Sequence, residues 1–290
     1  MFSKWFGLGS AVSPDPDTPG PVADWADLID DCPIAAHLDA AARERLAGLS
    51  EAFLTRHRIV GAAGWTPGER IRRLVACQAC IPVLELGLAA YGDFVDVIIY
   101  PDEFRVRRQV TDPLGLETEF DHVLAGEAMD HGPVVLSLPG LDPRADDTGE
   151  PGDWPMNLVV HEFTHKLDQT FALSHPDARS GPDPIRALRT TLAATYDDLL
   201  ERIDWLEDKL PRDVDPESPA AQAWFATLPL DPYAATDPAE CLAVAAEAFF
   251  SGSVRLARNY PALQEALAGF FGQRPRLRDD VPAPVGPTTT

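Results

Sequence analysis

Long apolar stretches are missing from this chain. No run of about 18 apolar residues occurs among its 290 residues, so no membrane-spanning helix is expected. The opening Met1-Phe2-Ser3-Lys4-Trp5-Phe6-Gly7-Leu8-Gly9 is too short and too interrupted for the apolar core of a secretory leader. Cations are scarce as well: 24 Lys and Arg face 46 Asp and Glu, a formal net charge of −22. Nucleic acid needs clustered Lys and Arg to replace its counterions, so it is not an expected partner. Cysteine is rare too, and Cys32, Cys77, Cys80 and Cys241 make no secreted-type disulfide framework. Cys77-Gln78-Ala79-Cys80 has C-x-x-C spacing, but it lies in an apolar helical run without a second pair and reads as buried structural thiols. The expectation from these absences is a cytoplasmic protein that meets neither membrane nor nucleic acid.

The chain does have enough apolar residues, 45% of the total, for a full core. No Pro/Gly/Ser-rich linker divides its middle, so one domain is expected over residues 25–275. Residues 1–24, Pro-rich at 11–22, are expected to be a mobile segment, and 276–290 a disordered tail. Leu and Ala at helical spacing mark 39–57, and the apolar run 69–88 is broken only by Pro82. Short β-rich segments follow at 95–100, 104–110, 120–124 and 134–138, separated by Pro, Gly and Asp. Residues 185–210, 220–228, 238–250 and 260–271 read as helix again. The expected fold class is α+β, mostly helical, with a small mixed or antiparallel sheet.

The chemistry is concentrated in His161-Glu162-Phe163-Thr164-His165. Its flanks, Asn157-Leu158-Val159-Val160 and Lys166-Leu167-Asp168, contain no Gly or Pro and read as helix. At about 100° per residue, positions i and i+4 face the same way one turn apart. Two imidazole nitrogens can then approach one metal ion at about 2.0–2.1 Å. Glu162 points about 100° away from His161, which suits a general base acting on water better than a ligand. A buried helix with two histidines and a glutamate needs a reason to bury them.

A third ligand has to come from elsewhere. The metzincin pattern would place a Gly at position 168 and a ligand at 171, which here are Asp168 and Phe171, so that class is excluded. The remaining common solution is a Glu on a second helix, and one begins at Thr236-Asp237-Pro238-Ala239-Glu240. Thr236 or Asp237 can cap it and Pro238 suits its first turn. Glu240, in that first turn, is the expected ligand. Glu247 is its rival, because i and i+7 share a helix face. Tyr233, seven residues before Glu240, either packs a turn or donates its hydroxyl to the oxyanion of a tetrahedral intermediate.

Tyr233 to Cys241, with His161 to Asp168, resembles the bacterial Mlc titration factor A family (MtfA, peptidase family M90). Supporting stretches are Pro82 to Leu88, Val97 to Pro101 and Gly132 to Leu136, and the resemblance covers roughly residues 25–275. It implies a zincin-like zinc metallopeptidase whose catalytic core is related to anthrax lethal factor. It also implies His161, His165 and Glu240 as Zn2+ ligands, Glu162 as general base and Tyr233 as a transition-state residue. The family name further implies binding of an Mlc-like repressor of sugar uptake.

The expected function is therefore zinc-dependent hydrolysis of peptides, aminopeptidase-like on short ones, with a regulatory role through an Mlc-like repressor. The competing reading is a non-catalytic zinc-containing protein that sequesters a transcription factor. Residues 133–138 are expected to form a cleft edge that takes extended peptide substrate. The acidic loop 139–155 is either solvated or a lid that favours basic or amine-bearing substrates. Asp168 reads either as a partner for a ligand histidine's second nitrogen or as half of a surface ion pair. His37, His57, His122, His131 and His175 have no ligand spacing and read as structural or surface groups.

Overall fold

Asp39 opens the first long helix because its carboxylate accepts the Ala42 N–H at 2.8 Å. The computed structural model describes residues 24–278 except 103, 112–116, 125, 130–131, 142–153, 155, 179–180, 212–213, 216–217, 219–220 and 222–223. In it α1 (Trp25–Asp30) precedes α2 (Ala40–Arg56), which runs straight into β1 (Arg58–Gly61). The helix α3 (Glu69–Cys80) stops before Pro82, whose missing N–H and ring are poorly suited to a helix interior. The apolar run 69–88 is therefore not one helix: turns lead from α3 to a 3-10 turn at Leu88–Tyr91. The expectations for the mobile N-terminal segment, the C-terminal tail and the acidic loop rest almost wholly on residues outside those described.

Five further strands follow: β2 (Asp96–Tyr100), β3 (Phe104–Thr111), β4 (Glu117–Leu124), β5 (Gly126–Ala128) and β6 (Val134–Ser137). The larger sheet is mixed, in the order β1-β2-β6-β5, with β1, β2 and β6 parallel and β5 antiparallel to β6. The strands β3 and β4 form a separate antiparallel pair. One expectation is overturned here. β6 is not an edge strand; it lies between β2 and β5, and all four of its residues are buried. Its continuous Val-Val-Leu run is what a strand covered on both faces requires. The edge belongs to β5, whose three residues are too few to show alternation.

The longer elements that follow among the described residues are helices: α4 (Leu158–Phe171), α5 (Asp183–Lys209), α6 (Pro238–Phe250), α7 (Val254–Asn259) and α8 (Pro261–Phe271). Asp237 caps α6 by accepting the N–H groups of Ala239 at 2.8 Å and Glu240 at 3.0 Å. Every residue of α6 from Cys241 to Phe250 is buried, and alanines at 243, 245, 246 and 248 leave room for close packing. The helix α4 packs on α6 and also against β5 and β6. Its C-terminus is held by Arg189 of α5, which donates to the carbonyls of Phe171, Ala172 and Ala178. Among the described residues no helix is long and apolar enough to cross a membrane.

His57, at the α2–β1 junction, is stacked on Phe94 at 4.3 Å and lies 4.4 Å from Phe53, and neither ring nitrogen makes a well-formed hydrogen bond. Burial, with Arg56 beside it, outweighs the nearby Phe94 backbone and pushes its pKa down to about 4. The fold thus accepts the neutral ring. Its contribution is complete above the unfolded value near 6.5 and is lost as pH falls towards the folded value, on the order of 3 kcal/mol in all. In urea unfolding at pH 7.5 and at pH 4.5, His57→Phe should lose about 2–3 kcal/mol less on acidification than the parent. Equal acid losses in the two proteins would remove His57 from this role.

Candidate metal centre

Asn157 starts α4 just before its first histidine by accepting the Val160 N–H at 2.9 Å. One turn of helix then separates His161 from His165, whose ring centroids are 5.0 Å apart. Glu240 reaches both from the first turn of α6. Its Oε2 lies 2.9 Å from His161 Nε2 and 3.5 Å from His165 Nε2. Among the described residues these three form the only group of His, Cys, Asp or Glu able to hold a metal ion, with ligand atoms all within 4.8 Å of one another. Tetrahedral zinc with bonds of about 2.0–2.1 Å sets its ligands roughly 3.3 Å apart. The two Glu240–imidazole spacings bracket that value, and two imidazoles with a carboxylate suit the ion chemically.

Glu247 lies elsewhere. It contacts the other ring nitrogen, His161 Nδ1, at 2.6 Å and accepts the Asn157 N–H at 2.5 Å. One carboxylate of α6 therefore stands on each nitrogen of the same ring. Asn157 continues the network, donating from Nδ2 to Gln78 Oε1 at 2.7 Å, and Gln78 donates to the Leu141 carbonyl at 3.3 Å. Burial alone would favour a neutral His161, but Glu247 and Glu240 outweigh it and hold its pKa well above the ordinary value. Burial would likewise raise the Glu240 pKa, yet the two imidazoles keep it ionised, far below the usual carboxylate range.

Glu162 is 4% exposed and its Oε2 has no hydrogen-bond partner. Burial pushes its pKa up to about 7, with the two histidines pulling the other way. Its carboxylate rests against the edge strand: a Cβ at Gly126 would stand 2.4 Å from Glu162 Oε1. Only a residue without a side chain permits that approach.

Tyr233 sits on a 3-10 turn, Pro232–Ala235, fixed by Asp231, whose side chain accepts the Tyr233 N–H at 2.8 Å. Its ring centroid is 6.0 Å from that of His161. Asp231 is pushed up to about 6, by burial first.

Asp168 takes neither expected part. Its oxygens accept the N–H of Ser174 at 2.7 Å and its hydroxyl at 2.6 Å, which ties down the loop after α4. His37 meets Gln273 at 3.3 Å and His175 meets Ser174 at 3.3 Å, both away from the three ligands. His131 and the side chain of His122 lie outside the described residues. The four cysteines are free and buried, and burial pushes Cys80 and Cys241 up to about 12, so neither is a thiolate near neutral pH.

Sequence reasoning missed Gln78, Asn157, Gly126 and Asp231. Gln78 left a trace, as a polar residue inside an apolar run, and Asn157 another, as a capping residue just before the first histidine.

A family model described as glucose-regulated metallo-peptidase M90 matches residues 16–272. The chain is similar to the Mlc titration factor A of Cronobacter sakazakii (strain ATCC BAA-894), 35% identical over 246 residues that cover 85% of this chain and 84% of that one. It is 32% identical to the protein of the same name from Salmonella gallinarum (strain 287/91 / NCTC 13346) over 283 residues, 98% of this chain and 96% of the relative. With that of Enterobacter sp. (strain 638) the identity is 33% over 279 residues, 96% of this chain and 95% of the relative.

Proposed function

Since this chain belongs to the glucose-regulated metallo-peptidase M90 family, we propose that it is a zinc-dependent peptidase, aminopeptidase-like on short peptides, whose metal is held by His161, His165 and Glu240. The observation that carries the proposal is the convergence of those three side chains beside a buried carboxylate with an unpartnered oxygen. A purely structural zinc site is closed by four protein ligands and has no use for such a neighbour. When bound, zinc supplies Lewis acidity, making water a better nucleophile near neutral pH and polarising the scissile carbonyl.

The chain's own residues do the rest. Glu247 holds His161 through Nδ1, so that Nε2 is aimed at the metal position. Glu162 takes a proton from the attacking water and passes it to the leaving amine, so water adds across the peptide bond with no net change in the enzyme. Tyr233, on its Asp231-capped turn, donates its hydroxyl to the oxyanion. An extended peptide pairs with the outer edge of β5, next to Glu162. The relatives' name, Mlc titration factor A, supports adding to the proposal an Mlc-like repressor as partner, bound through protein surface, with this protein placed in the cytoplasm.

The purified protein should carry about one zinc per chain and release chromophore from aminoacyl and short-peptide p-nitroanilides. Dialysis against a chelator should remove metal and turnover together, and zinc should restore both. Full turnover after metal removal would sink the proposal. A zinc-loaded protein inert towards every such substrate would favour a non-catalytic binding protein instead.

A further inference from the structure

The face of α4 that carries Glu162 continues, one turn on, with Lys166. Its side chain is 2% exposed, an unusual place for an ammonium group. Nζ donates to the carbonyl of Met129 at 2.6 Å, to that of Gly132 at 3.0 Å and to Gln169 Oε1 at 3.1 Å. It also lies 5.5 Å from the centre of the Phe94 ring. Gln169 in turn donates to the Ala128 carbonyl at 3.2 Å. The end of β5 and the turn into β6 are thus gathered onto the metal-bearing helix through three backbone carbonyls.

Burying a charge is costly unless its hydrogen bonds are met. An aliphatic side chain would fill the same space without that cost, so packing alone does not account for a lysine. What the ammonium adds is a set of directed bonds to the chain just after the short edge strand, which among the described residues pairs with β6 through Gly126, Glu127 and Ala128. Gly126, at the other end of β5, lies against the Glu162 carboxylate. The position of β5 relative to the base is therefore fixed from the same helix that carries the base.

We propose that Lys166, with Gln169 as its partner, is a positioning residue that holds β5 in place beside Glu162 so that a peptide paired along the strand presents its scissile bond to the base. This rests on the peptidase reading above.

The test compares Lys166→Met, which keeps the stem and removes the donors, with Lys166→Arg, which keeps a donor. Kinetics are measured on an aminoacyl p-nitroanilide and on an extended internally quenched peptide, alongside zinc content and amide hydrogen exchange over residues 126–133 in the zinc-loaded protein. In Lys166→Met the expected results are full zinc, faster exchange in that segment, and a KM for the extended peptide about tenfold higher with kcat within about threefold. Lys166→Arg should recover part of the KM and of the exchange protection. If Lys166→Met does not fold, Gln169→Leu carries the same test, at an exposed position, with a rise in KM of about threefold. Unchanged exchange, or a fall in kcat with KM unmoved, would overturn the proposal. A parent protein with no turnover would overturn the peptidase reading instead, and the exchange comparison would still decide whether Lys166 holds β5.

Discussion

Glu162→Gln should keep its zinc and lose hydrolysis, with kcat lower on the order of 10²–10⁴-fold. The amide has the shape of the carboxylate, and the fit against Gly126 tolerates a side chain of that size. Metal binding should survive, because the three converging groups that could hold the ion are His161, His165 and Glu240. What is lost is the ability to accept a proton from water and return it to the amine. Neither carboxylate of α6 is placed to substitute, since Glu240 is engaged with both imidazoles and Glu247 with the far side of His161. Metal analysis with steady-state kinetics on one p-nitroanilide suffices, and turnover within about twofold of the parent would end the general-base assignment.

The second large effect separates the two carboxylates of α6. Glu240→Ala removes the proposed third ligand and should abolish stoichiometric zinc binding at micromolar metal. Glu247→Ala removes the partner of His161 Nδ1 and should weaken binding by about 10–100-fold while leaving one site per chain. The two differ because Glu247 acts only through the orientation of the ring, and three groups still converge without it. Competition against a chromophoric chelator measures both constants in one format. Stoichiometric binding by Glu240→Ala with none by Glu247→Ala would exchange their roles.

The convergence of His161, His165 and Glu240 was legible in the sequence because each part rests on a local rule. His161 and His165 need only the helical repeat, and Glu240 needs only the Asp237-Pro238 start of its helix. Which carboxylate would support His161 was not legible. Asp168 shares its helix and was the natural candidate, yet the crossing of α4 over α6 brings Glu247 to Nδ1 and leaves Asp168 to hold Ser174. A helical wheel describes one helix; the partner of a side chain pointing off it depends on how two helices cross. The short strands failed for another reason. β1 has four residues and β5 three, below the length at which alternation can be seen, so the edge role went to the more conspicuous β6. The place of Lys166 was not legible either, because nothing local shows that its carbonyl partners are brought to it from more than thirty residues earlier.

The distance along the chain between His161 and Glu240 is 79 residues. A polypeptide made from its N-terminus therefore exposes both imidazoles and Glu162 long before Glu240 exists. At 5–20 residues per second, translation of that interval takes roughly 4–16 s. On the proposed peptidase reading, until α6 has left the ribosome and packed on α4, the nascent chain lacks one of the three groups that would hold zinc and does not cut itself or its neighbours. Hydrolytic competence, on that reading, arrives only with the tertiary contact between the two helices.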